Sequence, residues 1–212
     1  MATWTNVNNA GTHDGTPTSL TETLLIPAGV DSSRDNQGFL MNRQKDTNAL
    51  NLPYLSVADG YVDLGSTTTK DAGTAFSILL WCKPSHVSGN IFIGTGEDDQ
   101  IKFQSTTQLR MVADGDNADF AIDSSGTWTV DEWVHLGIVR NTSNLVTIYI
   151  DGDAQSATVT DAEPFDYRYI GGASASDTFD GAVDDVLIYD DELSAAEVTR
   201  NYNAGKRSHR NG

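Results

Sequence analysis

The stretch Phe179-Asp180-Gly181-Ala182-Val183-Asp184-Asp185-Val186-Leu187-Ile188-Tyr189, followed by Leu193-Ser194-Ala195-Ala196-Glu197-Val198, decides the fold of this chain. Val183, Leu187 and Tyr189 share one face at period two while Val186 and Ile188 occupy the other. Both faces are therefore apolar, as in a strand at the centre of a two-layer structure. Ser194 and Glu197 form a capping box, in which hydroxyl and carboxylate satisfy orphan amides at the start of a short helical turn. Gly205 supplies a stop, and Lys206 and Arg207 suit the negative end of that turn.

Upstream, short apolar runs recur between turn residues. Leu50-Asn51-Leu52 and Tyr61-Val62-Asp63-Leu64 alternate, and Phe76-Ser77-Ile78-Leu79-Leu80-Trp81-Cys82-Lys83-Pro84 is a strand closed by proline. Ile91-Phe92-Ile93 and Ile101-Lys102-Phe103 flank the loop Gly94-Thr95-Gly96-Glu97-Asp98-Asp99-Gln100. Leu109-Arg110-Met111-Val112, Phe120-Ala121-Ile122, Trp133-Val134-His135-Leu136-Gly137-Ile138-Val139 and Leu145-Val146-Thr147-Ile148-Tyr149-Ile150 continue the spacing. Asp151-Gly152 is a hairpin signal, because a type I′ turn needs positive φ at both central positions. Tyr169-Ile170 ends at Gly171-Gly172. With no fixed-period repeat, the pattern gives an all-β, two-sheet antiparallel sandwich rather than a solenoid or propeller.

At 212 residues the chain fits one such domain plus an extension. Residues 1–47 are expected to be an N-terminal arm, since Leu20 to Ile26 and Phe39-Leu40-Met41 are too little to bury a core of their own. The domain then covers 48–204 and a basic tail 205–212. A formal net charge of −17 excludes a nucleic-acid binder, which needs a basic face. No apolar run approaches the roughly 20 residues that span a bilayer. Met1-Ala2-Thr3-Trp4-Thr5-Asn6 has neither the basic start nor the apolar core of a signal peptide, so synthesis without export is expected. The lone Cys82 alternates with Phe76, Ile78 and Leu80 and reads as a small buried hydrophobe.

The ordered series Phe76-Ser77-Ile78 with Trp81 and Lys83-Pro84, Trp133-Val134-His135, Ile148-Tyr149-Ile150-Asp151-Gly152, Ile170-Gly171, and the closing stretch from Phe179 to Val198 resembles the laminin G-like branch of the concanavalin A-like lectin/glucanase superfamily. The resemblance covers roughly Asn48 to Ala204 and implies a jelly roll, with little said about activity. Pentraxins share that fold, and their calcium loop is similar to Asp98-Asp99-Gln100-Ile101. Their second acidic loop corresponds to Gly172-Ala173-Ser174-Ala175-Ser176-Asp177, which carries one carboxylate where the family has several. The resemblance thus implies a weak calcium site at Asp98, Asp99 and Asp177, against the plainer reading of a solvated acidic loop.

Glucanases of this superfamily place two carboxylates at alternate positions of one strand, about 5 Å apart across a cleft. Asp184 and Asp185 are adjacent and so are expected on opposite faces, one of them bonded to backbone amides. Asp161 with Glu163 and Asp151 with Asp153 alternate, but in turn-like surroundings. His135 lacks a nucleophile motif and reads as a packing histidine. Trp81 and Trp133 sit inside apolar runs, whereas Trp128, in the turn-like Ser124-Ser125-Gly126-Thr127-Trp128, is the candidate for stacking on a sugar ring. No catalytic residue emerges. The chain is expected to be a non-enzymatic structural or adhesion module docking on a larger assembly, in the manner of the capsid-decorating or tail-appendage virion proteins of tailed bacteriophages, which it resembles. The alternative is a lectin-like carbohydrate-binding module, with a glycoside hydrolase a remote third. Possible partners are a capsid or tail, further copies of the chain, or surface polysaccharide.

Overall fold

A computed structural model describes residues 16–18, 50–52, 61–86, 90–123, 126–173 and 178–210. Two antiparallel sheets face one another. The seven-stranded sheet has the spatial order β1 (Thr16–Thr18), β3 (Tyr61–Lys70), β12 (Phe165–Ile170), β5 (Asn90–Gly94), β6 (Gln100–Ser105), β7 (Gln108–Ala113), β8 (Asp116–Ala121). The six-stranded sheet has the order β11 (Asp153–Thr160), β10 (Leu145–Ile150), β9 (Val134–Arg140), β4 (Phe76–Pro84), β13 (Gly181–Tyr189), β2 (Leu50–Leu52). Non-sequential neighbours such as β4 and β13 make this a jelly roll. Leu20 to Ile26 and Phe39 to Met41 lie outside the described residues.

Alternation in the sequence becomes the two faces of each strand. Phe76, Ile78, Leu80 and Cys82 of β4 point between the sheets, joined there by Phe92, Phe103, Phe120, Leu136, Ile138, Ile148, Phe165 and Phe179. Leu79 and Trp81 point the opposite way, yet they too are buried. What covers them is α1 (Ala195–Arg210), laid on the outer face of the six-stranded sheet. Asp151 and Gly152 have φ of 55° and 86°, as the hairpin signal requires. A Cβ on Gly152 would also stand 2.9 Å from the Tyr202 ring of α1. β11 had no clear apolar alternation in the sequence. It is an edge strand whose exposed residues are mostly polar, and Gln155 is buried, its Oε1 accepting from the Asp123 N–H at 2.9 Å.

Two expectations are corrected in the deciding stretch. The pairing of β13 with β4 shifts register between Asp184 and Leu187, and Asp185 is left-handed at φ 48°. This bulge inserts one residue, so alternation cannot be carried through it. Val183 lies on the same inner side as Val186 and Ile188, while Leu187 and Tyr189 face outward toward α1. For the same reason Asp184 and Asp185 are not on opposite faces.

The second correction concerns the helix. Glu197 does reach back to Ser194, its Oε2 accepting from the backbone N–H at 2.9 Å and from the hydroxyl at 2.6 Å. The helix then runs through Gly205 to Arg210 over 16 residues, so residues 205–210 are helix rather than tail. Val198, Tyr202, Gly205 and His209 recur at spacings of four, three and four, which places them on one face. Packing along that face outweighs the roughly 1 kcal/mol cost of an internal glycine. Trp81 is its floor, 1% exposed, with the His209 ring stacked on it at 4.4 Å and Tyr202 beside it at 5.6 Å.

The Trp81→Ala variant is expected to lose about 3–5 kcal/mol in urea unfolding. Its helical signal should fall at lower denaturant than its β signal, because the core between the sheets does not contain this residue.

Candidate functional site

The loop joining β5 to β6 carries Asp98 and Asp99, and hydrogen bonds fold it against two other parts of the chain. Asp99 Oδ1 accepts from the backbone N–H of Asp166 at 3.0 Å and of Asp114 at 3.3 Å, and the Asp98 carbonyl accepts from Gly115 at 2.9 Å. Burial pushes the Asp99 carboxyl above the ordinary range while the two amides pull it back. Asp99 thus acts as a clasp between β12 and the β7–β8 turn. Asp177 lies outside the described residues. Two carboxylates on one loop, one already accepting two amides, do not by themselves fit an ion that takes six to eight oxygens.

Trp128 is closed inside the sandwich at 3% exposure, stacked on Phe103 at 4.2 Å. The turn-rich context suggested an exposed ring, but a large apolar surface folds inward when a neighbouring core has room for it. The expected sugar platform is therefore not at Trp128.

The candidate hydrolytic carboxylates have structural partners. Asp151 Oδ1 accepts from the His135 backbone N–H at 3.0 Å, and Asp161 Oδ1 accepts from that of Glu163 at 3.1 Å. Asp161, 6% exposed, is pushed up by burial and held down in part by the charge of Arg140. Asp184 Oδ1 accepts from the Asp185 N–H at 2.8 Å, and Asp184 Oδ2 lies 3.1 Å from His209 Nε2. His135 is a buried packing residue, edge-on to Trp81 at 5.3 Å.

A different group gathers on the outer face of the seven-stranded sheet. Asp63 pairs with Tyr169 across β3 and β12, one step from Val62 and Ile170, which turn into the core. A register shift between Tyr167 and Tyr169 brings Arg168 round beside Tyr169. Arg168 donates through Nε and Nη2 to the two oxygens of Asp63 at 2.7 and 2.8 Å and lies 5.2 Å from the Tyr169 ring centre. Tyr61 meets Tyr169 edge to face at 5.1 Å. The Arg168 fork holds the Asp63 carboxyl below the ordinary range, and Asp63 in turn raises Arg168. With Arg168 36% and Asp63 22% exposed, the group is a fixed polar and aromatic surface in contact with water. Sequence reasoning placed Tyr61 and Tyr169 in strands, but nothing local shows that these strands are neighbours.

A family model described as the concanavalin A-like lectin/glucanases superfamily matches residues 56–199. No curated protein matches the chain. Among solved structures, the binding domain of botulinum neurotoxin serotype D is 16% identical over 75% of this chain and 43% of its own, with a TM-score of 0.51. A heptameric SAP-like pentraxin from Limulus polyphemus is 15% identical over 63% of this chain and 73% of its own, with a TM-score of 0.46. Botulinum neurotoxin type C, whose cell entry depends on interaction with two ganglioside molecules, is 18% identical over 69% of this chain and 40% of its own, with a TM-score of 0.45. This chain spans less than half the length of either toxin structure. At 16% identity the likeness to the serotype D binding domain shows the fold alone.

Replacing Asp99 with Ala leaves two amides without their acceptor and is expected to destabilise the chain by about 1–2 kcal/mol. The loss should be the same with and without millimolar calcium in thermal unfolding. If calcium instead stabilises the wild type and the variant alone loses that gain, the loop belongs to the ion.

Proposed function

The chain belongs to the concanavalin A-like lectin/glucanase superfamily, and we propose that it is a non-enzymatic adhesion module that binds carbohydrate on the outer face of its seven-stranded sheet. The observation carrying this reading is the Tyr61–Tyr169 pair beside the Arg168–Asp63 fork. A sugar ring offers an apolar C–H face and a rim of hydroxyls. A fixed tyrosine accepts the first by stacking, and a charge-paired guanidinium and carboxylate supply donors and acceptors for the second. The preformed fork lowers the ordering cost of binding. The bonded state of the candidate catalytic carboxylates supports a binding rather than a hydrolytic role.

A second reading is docking on a larger assembly, of which a phage capsid or tail is the expected kind. One observation favours it: the outermost strand beside β3 and the outermost strand beside β13 are both three-residue pieces from the N-terminal quarter of the chain, β1 and β2. A segment whose described pairing with the body is the three-residue β1 is well placed to be released to a neighbour. The two roles are compatible in a particle that adheres to a polysaccharide surface.

Glycan-array screening followed by calorimetry tests the first reading. The wild type should retain at least one oligosaccharide, and Tyr169→Ala should weaken it about tenfold, or about 1.4 kcal/mol, with the β signal in circular dichroism intact. Retention of no saccharide, or the same affinity in Tyr169→Ala, would overturn it.

Deleting residues 1–47 tests the second. The shortened chain should stay folded, because β1 pairs with only three residues of β3, and should no longer join its particle. Unfolding on deletion would instead make the segment part of the domain.

A further inference from the structure

Positive charge is scarce in this chain and unevenly placed. Four of its 13 Lys and Arg lie in α1, against one of its 30 Asp and Glu, so the helix is cationic on an otherwise anionic molecule. We propose that the outward face of α1 docks on the acidic loop end of the seven-stranded sheet of a second copy of this chain.

The fold sorts the cations into two kinds. On the sheets, Lys70, Arg110 and Arg168 are ion-paired with Asp190, Asp119 and Asp63, and Arg140 is engaged by backbone carbonyls. On α1, Arg200, Lys206 and Arg207 are exposed, and none of them forms an ion pair among the described residues. Helix register explains the difference. Val198, Tyr202, Gly205 and His209 face the sheet, so Arg200, Asn203 and Arg207, three and four residues apart, form a stripe on the opposite side. Lys206 stands at the flank, its Nζ 5.2 Å from the Tyr202 ring centre. The helix's one acid, Glu197, is already the acceptor for Ser194. Helix polarity accounts for cations in the last turn, but that effect falls off within a turn and does not reach Arg200.

The complementary surface lies in another layer. The loop joining β5 to β6 and the β7–β8 turn are held together by the bond from the Gly115 N–H to the Asp98 carbonyl at 2.9 Å. This gathers Glu97, Asp98, Asp114 and Asp116 at one end of the seven-stranded sheet, all exposed and none ion-paired among the described residues. Crowded like charges repel one another, and a cationic stripe relieves that repulsion. Because α1 covers the outer face of the six-stranded sheet, the two surfaces sit in different layers and meet between copies. Such a contact joins two different patches, so it is heterologous and continues from copy to copy.

A contact built on exposed charge is weak and is sensitive to salt. The net charge of −17 makes whole copies repel at long range, but physiological salt screens that beyond about 8 Å and leaves the local match to decide.

Sedimentation velocity on the full chain, over a concentration series, tests the proposal. Association should be seen at about 0.15 M salt and should weaken roughly tenfold or more at about 1 M, where screening acts beyond about 3 Å. Arg200→Glu with Arg207→Glu should weaken it to a similar extent, and so should Asp98→Lys with Asp116→Lys, each with the wild-type circular dichroism. The chain carrying all four substitutions keeps the wild-type net charge and should associate again, which a general charge effect would not produce. A wild type that stays monomeric up to its solubility limit overturns the proposal. So does association that survives Arg200→Glu with Arg207→Glu, or that fails to return in the fourfold variant. A monomer retained on an immobilised sulfated polysaccharide through Arg200 and Arg207 would assign the stripe to an acidic polymer instead, and would equally overturn it.

Discussion

The bulge at Asp184 and Asp185 is the constraint from which the arrangement of this molecule follows. One additional residue in β13 moves Val183 inward with Val186 and Ile188 and sends Leu187 and Tyr189 outward. The outward face of the six-stranded sheet thereby gains an apolar strip, and α1 covers it. A left-handed non-glycine residue costs about 1–2 kcal/mol. The hydrogen bond from the Asp185 N–H to Asp184 Oδ1 offsets part of that locally. The contact between Asp184 and His209 joins the bulge to the far end of the helix. The helix is therefore a third layer, with Gly152 giving it the close approach it needs at Tyr202.

A second buried polar centre organises the opposite end of the sheet. Arg140 closes β9, is fully buried, and donates to the carbonyls of Lys70, Asp71, Thr74 and Glu163. Its guanidinium also lies 4.7 Å from the Phe76 ring centre. These bonds fix the connections leaving β3 and preceding β12, the two strands that carry Asp63, Arg168 and Tyr169. Many of the acidic groups behind the net charge of −17 work in the same way, as acceptors for backbone amides at Asp99, Asp123, Asp151 and Asp161.

Much of the sandwich was legible because period-two alternation is a local property. The runs at Phe76, Trp133 and Leu145 gave β4, β9 and β10, and Asp151-Gly152 gave its turn. The bulge was not legible, since an Asp-Asp pair inside an apolar run has no local mark that separates it from a regular strand. Gly205 was misread for a related reason: glycine propensity favours a stop, while Tyr202 and His209 gain their weight from Trp81, more than 100 residues away, and Val198 from Leu79, Val139 and Tyr149. Trp128 looked exposed because its neighbours are turn residues, yet Phe103 receives it. The Tyr61–Tyr169 surface depends on a strand neighbourhood that no local pattern encodes.

Native-state hydrogen exchange on α1 tests most directly the claim that this helix is an integral layer docked by the bulge. Its central amides, around Val198 to Gly205, should exchange with the same free energy as those of β4 and β9, and Asp184→Ala should lower the protection of the helix before that of the sheets. Exchange of α1 through a separate, low-energy opening in the wild type, unaffected by Asp184→Ala, would contradict the claim and return the segment to the status of a tail.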